Sequence, residues 1–89
     1  MAWRVEFLPS ADRDLKKLDP QAARRVLSFL KDRIEGAVNP RSLGQALKGS
    51  RMGEFWKYRV GDLRIIAKLQ DAVLLVLVVK VGHRRDVYR

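Results

Sequence analysis

From Trp3 to Leu8 the chain alternates in period two, with Trp3, Val5 and Phe7 on one side and Arg4 and Glu6 on the other, the pattern of a half-buried strand. Pro9-Ser10 breaks it. Ala11, Leu15 and Leu18 then recur at helical spacing, with Asp12 and Asp14 early and Lys16 and Lys17 late, as a helix dipole favours. Asp19-Pro20 places an N-cap before a proline at the first helical position. Ala23, Val26, Leu27, Leu30 and Ile34 carry a second, longer helix toward Gly36, where it stops.

Asn39-Pro40 through Gly53 reads as a connection, with room for a turn of helix from Leu43 to Leu47. From Glu54 the residues are those of strands: Phe55, Trp56, Tyr58 and Val60, a turn at Gly61-Asp62, then Leu63 to Leu69. Ala72 to Val81 is nearly continuous in apolar residues, as a central strand covered on both faces requires. Gly82 ends it, and a basic tail follows. The order β-α-α-β-β-β predicts an α+β fold, an antiparallel sheet with two N-terminal helices packed on one face. At 89 residues the chain has length for one domain, 1–89.

Charge changes the picture more than length does. Nineteen Lys and Arg against ten Asp and Glu give a net +9, which favours a polyanion or an acidic protein as partner. There is no cysteine and a single histidine, His83, so disulfides, thiolate metal sites and histidine clusters are excluded. No metal or other cofactor is expected. The longest apolar run is far shorter than the ~20 residues of a membrane span, and the N-terminus has no apolar signal core, so a cytoplasmic protein with no membrane partner is expected.

Side chains alternate along a strand, so Lys57 and Arg59 share one face while Trp56, Tyr58 and Val60 pack on the helices. Arg64 stands among Leu63, Ile65 and Ile66, where a charge is costly unless it serves a purpose or pairs with Asp62 or Glu54. His83, Arg84, Arg85, Tyr88 and Arg89 follow the last strand and converge with the hairpin if that strand lies beside it. Such a set suits metal-free RNA cleavage, in which a base takes the 2′-hydroxyl proton and arginines stabilise charge growing on the phosphate. The bland alternative is a solubilising strand face and a tail with no role.

Three ordered runs, Leu47-Lys48-Gly49, Trp56 through Ile66, and Val81-Gly82-His83-Arg84-Arg85-Asp86-Val87-Tyr88, resemble the RelE branch of the RelE/ParE toxin superfamily. The resemblance implies the same β-α-α-β-β-β fold and metal-free cleavage of messenger RNA in the ribosomal A site. It also implies as partners a RelB-like antitoxin, the ribosome and mRNA, with operator DNA reached only through the antitoxin. Carried over by position, Lys57 and Arg59 are the basic hairpin sites, Arg64 the strand arginine, Arg84 the arginine after the glycine and Tyr88 the terminal tyrosine. His83 stands where relatives place a lysine or histidine. Arg59 replaces a lysine of the best-known pattern, and a guanidinium cannot serve as a base, so that role passes to Lys57 or another group.

Lys16, Lys17, Arg24, Arg25 and Lys48 are expected to be a solvated basic surface that touches ribosomal RNA. Two rival readings use the same fold. One is a ParE-like gyrase poison acting through protein binding, and the other is a catalytically degenerate RNA-binding member.

Overall fold

The strand that joins the first strand to the rest of the sheet comes latest of the five in sequence. In the computed structural model, which describes residues 3–47 and 55–87, β5 (Leu75–His83) lies between β1 (Arg4–Phe7), parallel to it, and β4 (Leu63–Gln70), antiparallel to it. The antiparallel partners β3 (Phe55–Val60) and β2 (Gln45–Ala46) complete the order β1-β5-β4-β3-β2. The α+β class and the element order hold, but the sheet is mixed rather than wholly antiparallel. Two helices after β1 return the chain so that β5 enters beside β1 in the same direction, a relation that no local pattern carries.

Smaller differences have local causes. The expected helical turn at Leu43 to Leu47 is instead a 3-10 turn, Pro40–Leu43, followed by β2. Asn39 begins that turn by accepting from the Arg41 amide at 3.1 Å. Residues Asp71–Val73 form a 3-10 turn rather than the start of the last strand, and Leu74 leaves it with φ of 50°. Gly82 does not end β5: it pairs with Arg64, and the tail folds into a helical turn, α3 (Arg84–Val87).

Helices α1 (Pro9–Lys17) and α2 (Pro20–Phe29) meet at Asp19, whose carboxylate accepts from the Ala22 amide at 2.8 Å and caps α2. A π-helical turn, Leu30–Ile34, extends α2, and the Glu35 amide donates to the Leu30 carbonyl at 3.0 Å. Val26, Leu30 and Ile34 stay buried through this change of pitch. Helix α1 also seals an edge. Where β1 ends, the Leu8 amide donates to the Val78 carbonyl, the Ser10 hydroxyl to the Val79 carbonyl and the Val81 amide to the Asp14 carboxylate, at 2.9, 2.9 and 3.0 Å. A helix thus takes over the backbone pairing that β1 is too short to supply.

Tyr58 lies at the bottom of the core on the helix face, fully buried, its ring tilted against Phe29 at 6.0 Å. Its hydroxyl donates to the Pro40 carbonyl at 3.0 Å, tying the 3-10 turn to the sheet. Gly44 passes close by, and a Cβ there would stand 2.7 Å from the Lys57 carbonyl oxygen. The turn is held a second time by Arg41, whose guanidinium grips the Asp71 carboxylate at 2.8 and 2.7 Å and stacks over Trp56 at 5.6 Å. That hydrogen-bonded pair holds the Asp71 carboxyl below, and the Arg41 guanidinium above, their ordinary values.

Burial pushes the Tyr58 phenol up from 10.0 to about 12. An unfolded chain ionises this phenol near its ordinary value, so the stability it contributes is complete below pH 10.0 and is lost as pH rises toward about 12. Tyr58→Phe is expected to remove this alkaline component and, through the lost hydrogen bond, to destabilise the protein by about 1 kcal/mol at neutral pH. Urea unfolding of both proteins at neutral and alkaline pH measures each effect.

Candidate active site

Register decides which expected residues meet. Directly paired residues share a face, so the ladders Lys57↔Ile66↔Lys80 and Arg59↔Arg64↔Gly82 form two adjacent rows across β3, β4 and β5. Both rows face away from α1 and α2, because Tyr58, Ile65 and Val81, which alternate with them, belong to the core on the helix side. Arg59 is exposed and Lys57 half-buried.

Arg64 is 5 % exposed, the buried charge of the described core. It does not bond Asp62; its Nη1 donates to the Gly61 and Leu63 carbonyls at 2.8 and 2.9 Å, and Glu54 lies outside the described residues. The carbonyl between them, that of Asp62, accepts from the Arg84 amide at 2.9 Å. The three successive carbonyls of the β3–β4 turn are therefore occupied by Arg64 and by the first residue of α3. Gly61 takes the positive φ, 60°, that this tight turn requires. Among the described residues no carboxylate pairs with Arg64, so its charge is oriented but not neutralised. An uncompensated, fixed guanidinium is poised to bind an anion.

His83, at the end of β5, is exposed and shares in the walls of three clefts. One is bordered by Asp62, Arg84, Arg85 and Asp86, and a second by Asp14, Lys17, Asp19 and Lys80 among others. The third brings in Arg25. The surroundings of His83 are thus of mixed charge, whereas the sheet rows are cationic. The helix cations divide accordingly. Arg25 leans on the hairpin, its Nη2 2.5 Å from where a Gly61 Cβ would be, and Lys17 borders the second cleft. Lys16 pairs with Asp12 at 3.4 Å and Arg24 lies exposed on α2, so both stay on the helix surface. Tyr88 and Lys48 lie outside the described residues.

Two cations on the sheet face escape a reading by alternation. Along β5, Lys80 would fall with Val78 on the core side, but the ladder shifts between Ile66 and Ala67 and places Lys80 opposite Ile66. Lys68, opposite Phe55, joins the same face. A bulge leaves little trace in residue types, and Lys80 at the end of an apolar run is the sole hint.

Helix α3 closes one end of the rows. Val87 is buried, and its Cγ2 lies 3.2 Å from where a Cβ on Gly82 would stand. Gly82→Ala therefore requires the helical turn to yield by a few tenths of an ångström. We expect faster hydrogen exchange at the Arg84 amide, whose acceptor is the Asp62 carbonyl, with exchange at the β4–β5 ladder amides unchanged.

Comparison with known proteins agrees with this architecture. The family model described as the ParE toxin of the type II toxin–antitoxin system parDE matches residues 5–88. The chain is 32% identical over 89 residues to Toxin RelG of Mycobacterium tuberculosis, covering 100% of this chain and 99% of that protein. It resembles the crystal structure of the toxin–antitoxin complex RelBE2 of M. tuberculosis with a TM-score of 0.83 and 26% identity, over 94% of this chain and 100% of that one. The archaeal RelE–RelB complex of Pyrococcus horikoshii gives a TM-score of 0.74 and 26% identity, over 97% and 99% of the two chains. By sequence and by fold, the chain belongs to the RelE/ParE superfamily of toxins of type II toxin–antitoxin systems.

Proposed function

We propose that the protein is a ribosome-dependent endoribonuclease that needs no metal and is held inactive by a RelB-like antitoxin. The observation that carries this reading is Arg64, a nearly buried guanidinium with two donors fixed on turn carbonyls and no carboxylate partner among the described residues, in a row with Arg59. In the reaction, the 2′-hydroxyl loses its proton to a base and its oxygen bonds to the adjacent phosphorus. The bond from phosphorus to the 5′ oxygen breaks, and that oxygen takes a proton from an acid, leaving a 2′,3′-cyclic phosphate and a 5′-hydroxyl. Arg64 and Arg84 stabilise the charge on the phosphate, Lys57 and Arg59 position or activate the substrate, and Tyr88 or His83 assists proton transfer.

Antitoxin complexes of the RelBE relatives support the partner, and +9 of net charge suits an acidic segment as well as RNA. The cytoplasm is the compartment that these partners require. A second reading, a ParE-like gyrase poison, is favoured by the family model itself, whose description is that of ParE. Induction in cells separates the two: amino-acid incorporation should fall first, with RNA cut on purified ribosomes. DNA breaks with translation intact would assign the gyrase reading.

Arg64→Ala is expected to lower the cleavage rate by on the order of 10²-fold or more while ribosome affinity changes little, since the guanidinium acts on charge that develops in the transition state. Lys16→Ala, on the helix surface and already paired with Asp12, should leave the rate at saturation unchanged. Single-turnover cleavage at saturating ribosomes, on variants with native unfolding midpoints, makes the comparison. An Arg64→Ala protein that binds weakly but cleaves normally once saturated would make Arg64 a docking residue.

A further inference from the structure

We infer that Lys80 is a substrate-positioning residue, the cation on the far side of the sheet face against which the RNA strand is held as it crosses β3, β4 and β5. The inference rests on the ribonuclease reading and adds to it a residue and a path. Lys57 and Lys80 are both paired with Ile66, one from each side, so they stand two strand spacings apart, about 10 Å, on one face. Between them Ile66 is 6 % exposed although it points away from the helices. Lys57 and Lys80 are both half-buried, as lysines are whose stems pack beside an apolar floor.

The next row contains Arg59 and Arg64. A strand lying over Ile66 thus has a lysine at each margin and the fixed guanidinium two residues back along β4, which is where a reacting phosphate meets its charge stabiliser. Across that row the space above Gly82 is filled by Val87, so the path cannot turn toward the end of β5 and must leave past Lys80.

The bulge makes this possible. It is the shift between Ile66 and Ala67 that places Lys80 opposite Ile66 instead of in the core. A positively charged residue in an interior strand, at the one place where the β4–β5 ladder breaks parity, is costly for the sheet unless its charge is used. Lys80 forms no ion pair with a carboxylate among the described residues.

The test uses Lys80→Gln and Lys80→Arg on ribosomes programmed with a message. For Lys80→Gln we expect KM to rise severalfold with kcat nearly unchanged, and the slope of log(kcat/KM) against log salt to flatten by about 0.7, one phosphate contact on a single strand. Lys80→Arg should restore both KM and slope, which also shows that the glutamine effect is one of charge and not of folding. If Lys80→Gln keeps the wild-type KM and slope, or if arginine fails to rescue, the role of Lys80 is overturned while the ribonuclease reading stands. Loss of kcat at constant KM overturns positioning as well. A wild-type protein without ribosome-stimulated cleavage overturns both readings together.

Discussion

The pairing of β4 with β5 is the constraint on which the other elements rest. It joins residues 63–70 to 75–83 across a short turn, buries one face of two strands in the core, and contains the one register shift of the ladder. Everything on the sheet face follows from its parity. Before the shift Arg64 pairs with Gly82 and Ile66 with Lys80, and after it Ala67 and Val78 both lie in the core. Without the extra residue, one side of the shift would place its charges among the helices.

The Arg64 guanidinium connects fold and chemistry. Its bonds to the Gly61 and Leu63 carbonyls close the β3–β4 turn, and the Asp62 carbonyl between them anchors α3. One side chain thus stiffens the hairpin that presents Arg59 and orients the segment that follows β5. A purely structural clamp would need only a neutral donor, whereas a cation without a carboxylate leaves a charge that the fold does not use. This is the same imbalance that appears in the net charge, concentrated at a single buried position.

Much of this was legible in the sequence because the signals were local. Trp3 to Phe7, the Asp19 cap with Pro20, the Gly61-Asp62 turn and the alternation through Tyr58 each state a conformation within a few residues, and each is where it was expected. Arg64 stood out because a charge amid Leu63, Ile65 and Ile66 breaks its own pattern. What was not legible depends on partners far along the chain. The direction of β1 is set by β5, the strand at Gln45 exists because Trp56 and Lys57 accept it, and the face of Lys80 is set by a bulge opposite Ile66. Arg25 was read as surface charge, and only the approach of α2 to Gly61 brings it to the hairpin.

The parallel pairing of β1 with β5 has a consequence for the order of events during synthesis. The Arg4 amide donates to the Leu74 carbonyl and Arg4 stands beside Leu75, so β1 has no sheet to join until some seventy residues after it have been made. Contacts of such long sequence separation must close a large loop before they return any stability, and they form late. A nascent chain can form α1, α2 and the β3–β4 hairpin, but the rows of cations are assembled only when β5 arrives between β1 and β4. Placing the bridging strand β5 after the strands it joins therefore delays the completed surface until residues 75–83 have been made.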